Sequence, residues 1–388
     1  MALCKHSQIA SVVVQFVKIR VICGPMIFFT LDLDTPEEKA RFQIDEHTHT
    51  ASWDFYCECY SYTIRKIIAA GLSQDYALNC RAKPLLFLIR HYIELCIKRN
   101  LNHNIGFPTT HDLISLLELL PNQGYVPNGF TSIATELNYD GKGECFRYDK
   151  DHNGHLFFNG CHTINLANIL RDYLALQGNA VFLIDSLCEE FPINNITNWD
   201  LTFHLHEAST LGQIRTQYDH VIEYIVKGVE SEEYDLNKVY LPLFFLIRHS
   251  IEIALKNNIY DASELTNIRS EKELKKPHSI DSLFNHFAGE TGYVKKTIKN
   301  LSPDTQATIQ NYLKDYNKLK NMIHKLDTNS YFLRFPFDNN NNPHKLSINK
   351  NTLLVLEVIR LYMVTDAFIT FTNDVLREDG VLQETEMY

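Results

Sequence analysis

Apolar residues recur at helical spacing through most of the chain, and the pattern is densest from Pro84 to Lys98, where Leu85, Leu88, Ile89, Tyr92, Ile93, Cys96 and Ile97 cover most of the helical surface. A helix apolar almost all round belongs in a core rather than on a surface. Nearly the same stretch returns at Pro242 to Lys256, so the chain carries an internal duplication. One polar stripe breaks each copy. Arg90, His91 and Lys98 flank Glu94 at spacings of three and four residues, and Arg248, His249 and Lys256 flank Glu252 in the same way. Buried, such a stripe is costly unless every member finds a partner, so it either holds the fold together or does chemistry.

Around this pair the pattern predicts further helices. Ala51–Leu72, with Tyr56, Tyr60, Ile64, Ile67 and Ile68 in register, precedes the first central helix, and Tyr218–Val229 precedes the second. Proline opens each central helix in this reading, where its missing N–H has no helical partner. Pro108-Thr-Thr-His-Asp-Leu113 reads as a threonine-capped helix start that places His111 in a first turn, and Pro277-His-Ser-Ile280 repeats it. Asp32–Glu38 reads as an acidic loop. The Asn-Gly pairs at 153–154 and 159–160 predict a short hairpin after Arg147, and Asn339 to Asn342 a tight turn. Closing helices are predicted over Asn165–Cys188 and Leu353–Leu376, with an extra helix over Thr305–Lys325 and a charged insertion over Ser263–Lys276. Arg90 and Arg248 lie 158 positions apart, His111 and His278 lie 167 apart, and Arg147 and Arg334 lie 187 apart, so insertions lengthen the second copy. At the last offset Asp140, Arg147 and Asp151 match Asp327, Arg334 and Asp338, a spacing that drift alone has little reason to keep.

The expected fold is all-α: two tandem up-and-down bundles, residues 50–190 and 205–388, joined by a link at 191–204. Small hairpins and an irregular or strand-forming extension over residues 1–49 complete it. Within that extension Lys5, His6 and the apolar run Ile9–Val17 look like the start of a signal peptide, but Lys18 and Arg20 interrupt the run and it is too short to span a bilayer. Met26 is a second candidate start. At 388 residues and 22% charged the composition is that of a globular protein with several cores. Nine cysteines without a Cys-x-x-Cys pair fit a reducing cytoplasm better than a zinc or disulfide framework. A net charge of −10 opposes indiscriminate nucleic-acid binding, yet Arg269 to Lys325 hold eleven basic against six acidic residues. That local excess marks Lys295, Lys296, Lys299, Lys314, Lys318 and Lys320 as a candidate RNA-facing patch, with Tyr293, Tyr312 and Tyr316 for base stacking. The plainer reading is a solvated helix face.

An apolar helix ending Glu-x3-Lys, a His-Asp-Leu helix start and a later Phe-Arg-Tyr turn, in that order and twice over, resemble the HEPN superfamily of α-helical domains. The residues are Glu94, Lys98, His111-Asp112-Leu113 and Phe146-Arg147-Tyr148, then Glu252, Lys256, His278-Ser279-Ile280 and Leu333-Arg334-Phe335. The resemblance implies bundles that pair with a second copy and, in many members, a metal-independent ribonuclease of toxin–antitoxin or antiviral systems. Its Arg-x4–6-His active-site pattern occurs at Arg41…His47, Arg147…His152 and Arg215…His220, at no position shared by both repeats. In the catalytic reading His91 or His111, and in the second copy His249 or His278, is the general base, Glu94 or Glu252 orients a histidine, and Arg147 or Arg334 steadies a phosphorane. In the structural reading the same set, with Arg90 and Asp140, ties each arginine turn to its central helix. His152, His155, Cys161 and His162, beside Asp149 and Asp151, form a third cluster with zinc-type donors, for which a solvated turn is the plainer account. The expected partners are RNA, a partner protein or a second copy, without membrane or cofactor.

Overall fold

The computed structural model describes residues 35–45, 49–72, 79–101, 108–120, 128–158, 162–176, 202–205, 210–266, 278–289, 292, 294–295, 302–326, 331–338, 340–344 and 354–378. The N-terminal run at Ile9–Phe29, the link at 192–200, most of the insertion over Ser263–Lys276, and Cys161, Asp327, Tyr293, Lys296 and Lys299 lie outside them. What is described is all-α apart from one antiparallel pair of three-residue strands.

In chain order the helices are α1 (Pro36–Arg41), α2 (Trp53–Leu72), α3 (Ala82–Asn100), α4 (Leu113–Glu118), α5 (Asn128–Glu136), α6 (Leu166–Ala175), α7 (Leu211–Glu230), α8 (Leu236–Thr266), α9 (Ile280–Ala288), α10 (Pro303–Leu326) and α11 (Leu354–Glu378). Strands β1 (Thr163–Asn165) and β2 (Thr202–His204) pair antiparallel. The central helix α3 is buried continuously from Ala82 to Lys98, as its all-round apolar pattern predicts. The second central helix, α8, packs against α7, α9 and α11, and also against α2 from the first half of the chain. No described helix is long and apolar enough to cross a membrane.

Several helix ends differ from the sequence reading. The residues from Pro36 form α1, capped by the Thr35 hydroxyl, rather than an acidic loop. Helix α4 is capped by Asp112, whose Oδ1 accepts from Ser115 N at 2.8 Å, so neither threonine caps it and His111 stands just before the helix. Ser279 caps α9 in the same way and leaves His278 outside. Pro84 is the third residue of α3, still among the N–H groups that have no helical acceptor. Pro242 instead lies inside α8, because Leu236–Leu241 already form helix, and its missing N–H costs that helix one backbone hydrogen bond. Helix α5 was not anticipated by the pattern of apolar residues.

The turns after the two arginines match position for position. Arg147 N and Tyr148 N both donate to Glu144 O, and Arg334 N and Phe335 N both donate to Tyr331 O. Asp151 Oδ1 then accepts from the backbone N–H of Asn153 and His155, and Asp338 Oδ1 from those of Asn340 and Asn342. Gly154 and Asn341, at the same place in each loop, both take positive φ, the region that glycine and asparagine tolerate best. The repeated aspartate spacing therefore has a local cause: each aspartate organises the loop that follows its arginine turn.

Candidate functional site

Two centres face each other across the core, each built on a central-helix glutamate. Glu94 Oε1 accepts from Lys98 Nζ at 2.7 Å and His111 Nδ1 at 2.7 Å, while Arg90 Nη1 stands 3.5 Å from Oε2. Glu252 Oε1 accepts from Lys256 Nζ at 2.7 Å and His278 Nδ1 at 3.1 Å, and Oε2 accepts from Arg248 Nη1 at 3.1 Å. Each arginine also reaches the carbonyl of the histidine just before the next helix: Arg90 Nη2 to His111 O at 2.7 Å, and Arg248 Nη2 to His278 O at 2.5 Å.

The arginine turns are exchanged between the halves. His91 Nε2 donates to Arg334 O at 2.9 Å, and His249 Nε2 donates to Arg147 O at 3.1 Å. Tyr60 OH donates to Leu333 O, and Tyr218 OH approaches Phe146 O at 3.5 Å. Phe335 lies edge-on to His91 with ring centroids 5.0 Å apart, and Tyr148 edge-on to His249 at 5.2 Å. Between the two centres Phe87 and Phe245 stack at 4.9 Å, each also stacked on the histidine of its own helix. Each centre thus takes its helix from one half and its closing turn from the other. Arg90 still reaches its own side, donating to Asp140 O at 3.3 Å, so the first turn is held from both halves.

Burial sets the electrostatics. Burial alone pushes the Glu94 carboxyl up, but Lys98, His111 and His91 outweigh it and hold it well below the usual carboxylate range. Lys256, His278 and Arg248 do the same for Glu252. His91 and His249 are driven down to about 3 by burial, which outweighs the opposing pull of the neighbouring glutamate, with a smaller lowering contribution from Arg334 or Arg147. Both rings are therefore neutral donors to a carbonyl and not bases poised near neutrality. His278 is different: its side chain, with Nδ1 on the carboxylate, is 45% exposed, against 20% for His111.

Arg147 and Arg334 are buried beside aromatic rings, Arg147 over Phe87 and Tyr148, Arg334 over Tyr331 and Phe335. His152 is exposed on the loop that Asp151 organises, while Arg147 lies in the core. Arg215 is held by Asp219 at 3.3 Å and by Asp366. His47 lies outside the described residues. In the third cluster His155 approaches Asp151 at 3.5 Å, and among the described residues no three His, Cys, Asp or Glu side chains gather as a metal site would need.

The basic segment is divided. Lys295, Lys314 and Lys318 are exposed, with Lys318 paired to Asp315 at 3.1 Å, and the side chain of Lys320 is not among the described ones. Tyr316 is not available for stacking bases, a correction to the sequence reading, and Tyr312 is half-buried. Tyr316 is buried against Phe284, and Tyr312 stacks on Phe368 of α11 at 5.4 Å, because the apolar stripe of α10 packs inward. Tyr148 is the functional-site residue that sequence reasoning passes over. Its OH donates to Glu252 Oε1 at 2.8 Å, and its own proton is held tightly by burial and by that carboxylate. Phe335 occupies its position in the second turn, so a phenol bonded to the glutamate belongs to the Glu252 centre and has no counterpart at the Glu94 centre. No protein-family model, curated protein or solved structure matches this chain.

Proposed function

We propose that the chain is a covalently joined pair of HEPN-like bundles that binds RNA, in a prokaryotic defence or toxin–antitoxin setting, without cutting it. The motif order repeated in both halves supports the fold assignment. Against cleavage stands one observation above the others: His91 and His249 spend their Nε2 protons on the carbonyls of the exchanged arginine turns, so the polar stripe acts as a lock. Arg147 and Arg334, buried beside aromatic rings, do not present a guanidinium to a phosphate. On this reading RNA lies along the solvent face of α10, where Lys314 and Lys318 stand one helical turn apart and both point outward.

Binding of total RNA in the absence of metal, followed by gel shift and by product analysis on the same samples, tests the proposal. Expected is a shift without new fragments, with affinity falling as salt rises by a log–log slope of roughly −0.7 per phosphate contact. The triple variant Lys314→Glu, Lys318→Glu, Lys320→Glu then flattens that slope by about two units. Metal-independent cleavage abolished by His278→Ala would instead make the half-exposed His278 and the buried Glu252 a catalytic dyad. A second reading, an interaction module that holds a partner protein, is favoured by the inward packing of Tyr312 and Tyr316 and by the Lys318–Asp315 pair. An unchanged salt slope in the triple variant supports it.

A further inference from the structure

The start of α3, away from both glutamate centres, carries two buried cations without a paired counter-charge. Arg81, the residue before the helix, is 6% exposed, and Lys83, in its first turn, 1%. The Arg81 guanidinium lies on the ring of Tyr224, its carbon 3.7 Å from the ring centre, and its Nε and Nη1 are buried without a hydrogen-bond partner. Lys83 Nζ stands 5.3 Å from the ring of Phe158 and has no hydrogen-bond acceptor among the described residues. Burial pushes its ammonium down to about 8, against weaker opposing pulls from Cys145 and Asp149. Helix α3 adds to the imbalance, because its positive end has no acidic residue in the first turn and no side-chain cap from Arg81. Gln217 Oε1, which accepts from Lys83 N at 2.9 Å, is neutral.

The duplicated helix shows that packing does not require these charges. At the offset that matches Arg90 with Arg248, Arg81 and Lys83 correspond to Val239 and Leu241, both wholly buried in α8. Apolar residues fill the same places there and avoid the cost of a buried charge that has no partner. At Arg81 one edge of the guanidinium is open: with Nε and Nη1 enclosed and its face on Tyr224, Nη2 is the nitrogen that reaches solvent. His220, one turn before Tyr224 on α7, is partly exposed, and burial and then the Arg81 charge hold its imidazole below the ordinary value. Glu223, which pulls the other way on His220, is itself engaged by Lys227 Nζ at 2.5 Å.

From these observations we infer that the start of α3 binds a phosphate dianion, docked from solvent on the Nη2 edge of Arg81, with Tyr224 fixing the plane of the guanidinium. Guanidinium N–H groups make charge-assisted hydrogen bonds to phosphate oxygens, and the helix end and Lys83 add a favourable field without contact. A dianion offsets two uncompensated cations more fully than a single carboxylate does, and a neutral acceptor leaves the excess in place. The inference does not depend on RNA lying along α10. The dianion is either free phosphate or the terminal phosphate of a strand.

His220 is the reporter, because an anion on Arg81 offsets the charge that acts on its ring. The full chain in chloride buffer is titrated with inorganic phosphate or with 5′-phosphorylated diuridine, acetate serving as control, and followed by the His220 imidazole resonance, assigned by its loss in His220→Gln. A saturable shift is expected with phosphate and none with acetate. Saturation by inorganic phosphate identifies a free ligand, and saturation by the dinucleotide alone identifies a strand end. Arg81→Met should weaken binding about tenfold or more, whereas Lys142→Met, a change at an exposed lysine, should leave it unchanged. Should Arg81→Met disturb folding, Arg81→Lys keeps the charge without the planar fork and is expected to weaken binding severalfold. No saturable shift with either phosphate probe at millimolar concentration, an equal response to acetate, or full affinity in both Arg81 variants overturns the inference.

Discussion

Two histidines and one glycine carry the strongest consequences at the scale of single residues. His91 and His249 are neutral in the folded chain down to about pH 3, while in the unfolded chain they protonate near 6.5. Between those values the unfolded state binds more protons, so stability is complete above about pH 6.5 and falls as the pH drops. Each ring contributes about 2 kcal/mol of loss between pH 6.5 and pH 5. Denaturant melts across that range should show the decline, and the double variant His91→Gln, His249→Gln, less stable at pH 7, should flatten it. Glu94 and Glu252, held low, add a further loss in the same direction once the pH falls below the ordinary glutamate value. Gly143 sits at φ +68°, and a Cβ there would overlap the buried Arg90 guanidinium. Gly143→Ala is therefore expected to cost roughly 2–3 kcal/mol in a chemical melt, from backbone strain and a displaced buried arginine together. Tyr148→Phe removes the hydroxyl that donates to Glu252, a bond Phe335 cannot make at the matching position. Its expected cost is about 1–2 kcal/mol, with little change at the Glu94 centre by NMR of the histidine rings.

At the scale of elements, what the sequence makes legible is burial and order. The all-round apolar surface of Pro84–Lys98 has one physical solution, the core, and α3 is buried over Ala82–Lys98. The first long helix, predicted over Ala51–Leu72, runs Trp53–Leu72, and the closing helix predicted over Leu353–Leu376 runs Leu354–Glu378. Helix ends are less legible, because several residues near each start can cap. Thr109, Thr110 and Asp112 compete before Leu113, and Asp112 wins by reaching Ser115 N. Pro242 misleads as a start signal because helix-forming residues upstream of it outweigh the one hydrogen bond it removes. The repeated Asp-x6-Arg-x3-Asp spacing is readable, but its cause, a loop in which Asp151 and Asp338 bind backbone N–H groups, is a three-dimensional contact that spacing does not reveal. The exchange of turns is not readable at all. Two near-identical stripes and two near-identical turns allow His91 to face either Arg147 or Arg334, and composition does not distinguish the pairings.

Across the whole molecule the exchange makes each half incomplete without the other. Residues 1–204 and 205–388 expressed as separate chains each lack the turn that closes their buried glutamate centre. Each alone is expected to show helical far-UV dichroism without a cooperative melt, and the two together to recover one. The buried Arg, His and Lys side chains around each glutamate would otherwise lose partners that cost several kcal/mol to strand. The crossed arginine turns are expected to fuse the two halves into one cooperative unit, and calorimetry of the intact chain measures that cooperativity. Prediction: a single transition whose calorimetric and van't Hoff enthalpies agree, shifted as a whole by either Glu94→Gln or Glu252→Gln. Two separable transitions, one moved by Glu94→Gln and the other by Glu252→Gln, would contradict it.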